Sequence, residues 1–138
     1  GDNSVSGVLV DSSTWIEFFN RPAGIVAQQV ALLLEARQVV VADPVLAEVL
    51  SGALDEKTYR QMQSHFSALR RLDPPVDLWS KIARSRFELA RKGIQASLID
   101  LILAWTAVHH NCHVLTLDAD FQRLAPIVPV TLFSTEKA

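Results

Sequence analysis

The feature that most constrains this chain is a repeated pairing of a short apolar run with an aspartate that ends it. Val8-Leu9-Val10 stops at Asp11, Val39-Val40-Val41-Ala42 at Asp43, and Val114-Leu115-Thr116-Leu117 at Asp118. Runs of this length, rich in β-branched residues and without polar alternation, are strands buried on both faces. Each run leads into the start of a helix. Asp11-Ser12-Ser13 supplies capping side chains, and Asp43-Pro44 places proline in a first turn, where its missing N–H costs nothing. Strands alternating with helices predict an α/β fold whose parallel sheet is covered on both sides.

The spacing predicts helices from the Ser12 region to Asn20, over Ile25 to Glu35, from Pro44 to about Ala53, and over Lys57 to Leu69. Arg71-Leu72 is read as a short strand, and Asp73-Pro74-Pro75 as a breaker before a helix from Val76 to Arg91 with Trp79, Ile82, Ala83, Phe87 and Ala90 on one side. Gly93 ends it, being able to take the left-handed cap conformation. An apolar helix over Ser97 to His110, a strand His113 to Leu117, a short helix Asp120 to Leu124 and a last strand Val130 to Phe133 complete the pattern.

The chain of 138 residues, 49% hydrophobic, suits one domain with one core. Its net charge of −2 leaves no strong overall field for polyanions, so nucleic-acid binding must use local patches or cations. A single cysteine, Cys112, excludes an internal disulfide and a cysteine-built zinc cage. The start lacks the basic and apolar regions of a secretory signal, and no apolar stretch reaches the roughly 20 residues needed to span a bilayer. A cytoplasmic protein is expected. With no initiator Met, residues 1–6 are expected to be disordered or foreign to the natural chain.

Acidic residues fall where open α/β sheets collect ligands, beyond the carboxyl ends of strands. Asp11 and Asp118 are explained equally well as helix caps. Asp100 is not so easily explained, because it interrupts Leu98-Ile99-Asp100-Leu101-Ile102-Leu103, and Glu48 lies within Val45-Leu46-Ala47-Glu48-Val49-Leu50. Neither has a basic residue within four positions, so local ion pairs cannot hold them. If these acids converge they repel one another, and a divalent cation removes the repulsion. Carboxylates without cysteine or a nearby histidine pair are hard oxygen donors, suited to Mg²⁺ or Mn²⁺. His109, His110 and His113 lie roughly 15 Å along the helix from Asp100, too far to join them.

Four segments together resemble the PIN-domain family: Val8-Leu9-Val10-Asp11-Ser12-Ser13-Thr14-Trp15-Ile16, Leu46-Ala47-Glu48-Val49-Leu50-Ser51-Gly52, Ser97-Leu98-Ile99-Asp100-Leu101-Ile102-Leu103-Ala104, and Leu115-Thr116-Leu117-Asp118-Ala119-Asp120-Phe121. They stand in family order across nearly the whole chain, and the resemblance is nearest to VapC-like toxins of type II toxin–antitoxin systems. Ser12 stands where the family commonly has Thr, and the segment before Asp11 is longer than usual.

The resemblance implies a single PIN domain with three α/β/α layers and a mostly parallel sheet of four to five strands. It implies a metal-dependent endoribonuclease with Asp11, Glu48, Asp100 and Asp118 catalytic, and with Asp11, Asp100, Asp118 and Asp120 around Mg²⁺, for which Mn²⁺ can substitute. Ser13 and Thr116 would support the acids, or serve as plain cap and turn contacts. Trp15, Phe18 and Phe19 are either core or part of a groove for a VapB-like antitoxin. RNA substrate, antitoxin and a second copy of the chain are the implied partners, and no membrane. A catalytically inactive PIN scaffold is an alternative. So is a Mg²⁺-binding regulatory α/β module, although a phospho-receiver would need a paired acidic dipeptide after the first strand and a late-strand lysine, and both are missing here.

Overall fold

The computed structural model describes residues 5–134. Elements run in the order β1 (Val8–Val10), α1 (Ser12–Asn20), α2 (Ile25–Glu35), β2 (Val39–Val41), α3 (Asp43–Ser51), α4 (Glu56–Ser67), β3 (Arg70–Arg71), α5 (Leu78–Arg91), α6 (Leu98–His109) and β4 (His113–Leu115), then a 3-10 turn over Ala119–Leu124. The sheet has the order β3-β2-β1-β4 and is parallel throughout, with Leu9 opposite Val40 on one side and Val114 on the other. Helices α1 to α4 pack among themselves and α5 packs on α6, giving three α/β/α layers. No helix among the described residues is long and apolar enough to cross a membrane.

Burial explains the apolar runs. All of β1 and β2 is buried, and so are Val114 and Leu115 of β4, because helices cover both faces. The edge strand β3 differs: Arg70 and Arg71 are exposed, and pairing is completed by Leu72, whose N–H donates to the Val41 carbonyl at 2.8 Å. Parallel strands that end level place all their carboxyl ends at one edge, so the loops into α1, α3 and the 3-10 turn share it.

Three expectations need correction. The last strand, Val130 to Phe133, reduces to a single parallel bridge between Val114 and Leu132. That bridge is made by the Val114 N–H donating to the Thr131 carbonyl at 2.9 Å and the Phe133 N–H donating to the Val114 carbonyl at 2.8 Å, while the Val130 N–H bonds the Val128 carbonyl across Pro129 in a γ-turn. In α5 the buried side is Leu78, Ile82, Ser85 and Leu89, while Trp79 and Phe87 are exposed. A serine can sit inside because its hydroxyl donates to the Lys81 carbonyl and accepts from Trp105 Nε1, and Phe87 instead carries the Arg84 and Arg91 guanidinium groups on its ring. Of the leading residues 1–6, the first four lie outside the described residues, but Ser6 belongs to the fold, its N–H donating to the Asn111 carbonyl at 2.9 Å.

The centre of the sheet carries the stability. Leu9 is fully buried on the middle strand, and Leu9→Ala is expected to cost about 2–5 kcal/mol, read from urea unfolding. A loss under about 1 kcal/mol would mean that the core is not centred there.

Candidate active site

At the carboxyl edge of the sheet lies a cavity of about 810 Å³ whose walls include Asp11, Glu48, Asp100, Asp118 and Asp120. The five acids singled out in the sequence come from separate segments, and the fold brings them to one cavity. Its walls also carry Ser12, Ser13 and Ser97 and the apolar side chains of Ile16, Ile99 and Leu103.

Asp11 sits between β1 and α1 and is buried. Its Oδ1 accepts from Ser13 Oγ at 2.8 Å and from the Thr14 N–H at 3.1 Å, with Thr14 Oγ1 at the same distance, while Thr116 Oγ1 donates to Oδ2. Ser13 and Thr116 are thus capping contacts and carboxylate supports at once. Each hydroxyl also accepts a backbone N–H, Ser13 from Leu117 and Thr116 from Asp118, which binds the loop after β4 to the start of α1.

Glu48 lies on the exposed side of α3 facing the cavity, and its Oε1 accepts from Ser12 Oγ at 2.6 Å. Ser97 caps α6 by accepting the Asp100 N–H at 3.0 Å, so Asp100 occupies the first turn, half-buried, near the positive end of the helix. Asp118 caps the 3-10 turn through the Asp120 N–H at 2.9 Å, and exposed Asp120 lies 4.0 Å from Arg123. Sequence reasoning passed over Ser12 as a ligand of Glu48, and Thr14 altogether. The run of three hydroxyl residues after Asp11 was the available signal, but a contact spanning 36 positions depends on α1 packing against α3.

Burial pushes the Asp100 carboxyl above its ordinary value; the Ser97 hydroxyl opposes this, and the charges of Asp118, Asp11 and Asp120 add to it. Among the described residues no three acidic, imidazole or thiol side chains are drawn together as a ready-made metal cage. A wall of oxygen donors without nitrogen or sulfur, open to water, nonetheless fits Mg²⁺, which keeps several waters and takes one or two carboxylates directly. The histidines stand apart: His110 places a ring nitrogen 2.7 Å from the Asp73 carbonyl.

Trp15 is fully buried, in edge and stacked contact with Phe18, Phe19 and Phe66. It belongs to the core and offers no surface to a groove, whereas Phe18 and Phe19 are only partly buried.

The PIN domain family model matches residues 8–126, a span that runs from β1 through the last acidic segment. The chain belongs to the PIN domain family. Within it, the chain is 31% identical over 124 residues to ribonuclease VapC11 of Mycobacterium tuberculosis, covering 87% of this chain and 92% of that one. Among solved structures, VapBC2 of Rickettsia felis bound to a DNA fragment from their promoter superposes with a TM-score of 0.74 at 20% identity, over 91% of this chain and 96% of that chain. DNA-bound VapBC of Salmonella typhimurium superposes with a TM-score of 0.72 at 21% identity, over 91% and 95%. The matched span holds β1 to β4 and the segments that carry the acids.

The raised Asp100 pKa has a thermodynamic sign. A carboxyl whose folded pKa exceeds its unfolded value costs stability when ionised; the cost is absent below the ordinary value of 3.8 and complete above the raised one. In metal-free buffer near pH 7, Asp100→Asn should therefore melt no lower than the unaltered protein, and any advantage should fade as pH drops through about 4. A variant several degrees less stable near neutrality would contradict this origin of the shift.

Proposed function

We propose that this PIN domain is a metal-dependent endoribonuclease, the toxin half of a VapBC-like toxin–antitoxin pair, acting in the cytoplasm on RNA phosphodiester bonds. The observation that supports it is the gathering of Asp11, Glu48, Asp100, Asp118 and Asp120 in one water-accessible cavity at the sheet edge. The relative VapC11 is a ribonuclease, and the structural neighbours are VapBC complexes.

In this reading Asp11, Asp100 and Asp118, with Asp120 beside them, would hold Mg²⁺ or Mn²⁺, one or two of them directly and the others through bridging water. When bound, the cation offsets the carboxylate repulsion and polarises a phosphodiester and a water toward in-line attack. Asp11 contributes a carboxylate whose direction is fixed in advance by its hydroxyl partners. Glu48 has Oε1 engaged by Ser12 and lines the cavity, so its other oxygen would orient an attacking water and accept its proton. The amino end of α6, beside Asp100, favours the charge that builds on the phosphoryl oxygens. The partly buried Phe18 and Phe19 on α1 are the aromatic part of an antitoxin seat, and the active form is a homodimer.

Unaltered protein should cleave RNA with Mg²⁺ and not with EDTA, and Asp100→Asn should lower the rate by roughly 100-fold or more on the same RNA. Equal rates in the two proteins would remove Asp100 from the machinery. No cleavage by either on total RNA would favour a scaffold without catalysis.

A further inference from the structure

We infer that Arg86 forms a phosphate subsite beside the acid cavity, holding the RNA phosphate that adjoins the scissile one. This rests on the nuclease reading above and names what lets such a site accept its substrate. RNA brings a negative charge with every nucleotide, and the acid cavity has no basic residue in its walls. A bound cation can attend to the scissile phosphate, but a neighbouring phosphate meets only carboxylates unless a protein cation stands nearby.

A second cavity of about 340 Å³ opens directly beside the first and shares Ser97, Asp100 and Asp120 with it. Arg86 on α5 is the basic residue of its wall. Its Nε donates to the Ala96 carbonyl at 3.2 Å, a bond from α5 to the loop that leads into α6. That bond fixes the plane of the guanidinium and leaves the terminal Nη groups for a ligand, the geometry in which arginine takes phosphate.

Four neighbouring cations are otherwise engaged. Arg84 pairs with Glu88, Arg91 lies over the Phe87 ring, Lys81 pairs with Asp77, and Arg123 lies beside Asp120. Arg86 lines a cavity with two aspartates and still forms no ion pair among the described residues. The carboxylates nearby set a general negative field without neutralising it. A phosphate on Arg86 would lie in the cavity that adjoins the acids, with Ser97, Asp100 and Asp120 as the shared wall.

The test uses the full-length protein with Mg²⁺ and a single-stranded RNA oligonucleotide cut at one defined bond. Arg86→Ala should lower kcat/KM by roughly ten- to a hundredfold, chiefly through KM, as expected for a lost hydrogen bond to a charged group. The slope of log(kcat/KM) against log[salt] should fall by about 0.7, one single-strand phosphate contact. Arg86→Lys should recover part of the loss, and melting and Mn²⁺ affinity should stay near those of the unaltered protein. Independently of any variant, replacing one phosphate at a time by neutral methylphosphonate should reveal one position next to the scissile bond where the unaltered protein loses activity and Arg86→Ala loses no more. Cleavage by unaltered protein with the same KM and salt slope in Arg86→Ala would overturn the subsite alone. A loss that moves melting and Mn²⁺ affinity but not the salt slope would overturn it too, leaving Arg86 a support for the α6 loop. Failure of the unaltered protein to cleave would instead overturn the nuclease reading, and the subsite with it.

Discussion

The buried carboxylate of Asp11 ties the edge of the sheet together. One oxygen caps α1 through the Thr14 N–H and takes Ser13 Oγ; the other takes Thr116 Oγ1 from the loop after β4. Without those donors a buried ion would cost several kcal/mol, so the hydroxyls are a condition of its burial. The same hydroxyls accept the N–H groups of Leu117 and Asp118. The position of Asp118 over the cavity therefore depends on the solvation of Asp11. Thr14 Oγ1 also lies 3.1 Å from the Leu115 carbonyl, so α1 is anchored to the neighbouring strand as well as to its own.

Around that fixed point the other acids are held more loosely. Ser12 engages Glu48, Ser97 caps the helix that presents Asp100, and Asp118 caps a turn while Asp120 remains exposed. Local bonds place these carboxylates, but none is cancelled by a strong ion pair. Burial first, and then the charges of Asp118, Asp11 and Asp120, push the Asp100 carboxyl above its ordinary value. In the nuclease reading, carboxylates gathered with only the exposed, 4.0 Å contact of Arg123 to Asp120 to offset them among the described residues would be relieved by a divalent cation. Arg86 lines the adjoining cavity, where in the proposed reading it would offer positive charge to an RNA strand leaving the acids.

The strands, the order of the helices and the convergence of the acids were legible because each rests on a local rule. Apolar β-branched runs mark strands in a covered sheet, and Asp, Ser and Pro mark helix starts. Positions such as Asp100, charged within an apolar stretch and without a local partner, declare a distant one. What escaped depended on three-dimensional detail. The buried face of α5 was misplaced because Ser85, polar by composition, is satisfied inside by Lys81 and Trp105. Val130 to Phe133 has strand composition, yet it meets β4 only at the Val114–Leu132 bridge, with a γ-turn around Pro129 just before it. Trp15 reads most simply as core, but its separation from the groove candidates Phe18 and Phe19 shows only when α4 brings Phe66 against it. The Ser12–Glu48 bond joins two helices distant in sequence, and spacing alone does not encode it.

In the proposed reading the acids at the sheet edge coexist by sharing a divalent cation. The direct measurement is the melting temperature of metal-stripped protein as Mn²⁺ is added at constant ionic strength. A saturable rise, lost in Asp100→Asn, is the result this structure requires. A melting temperature that ignores Mn²⁺, or rises equally in both proteins, would contradict it.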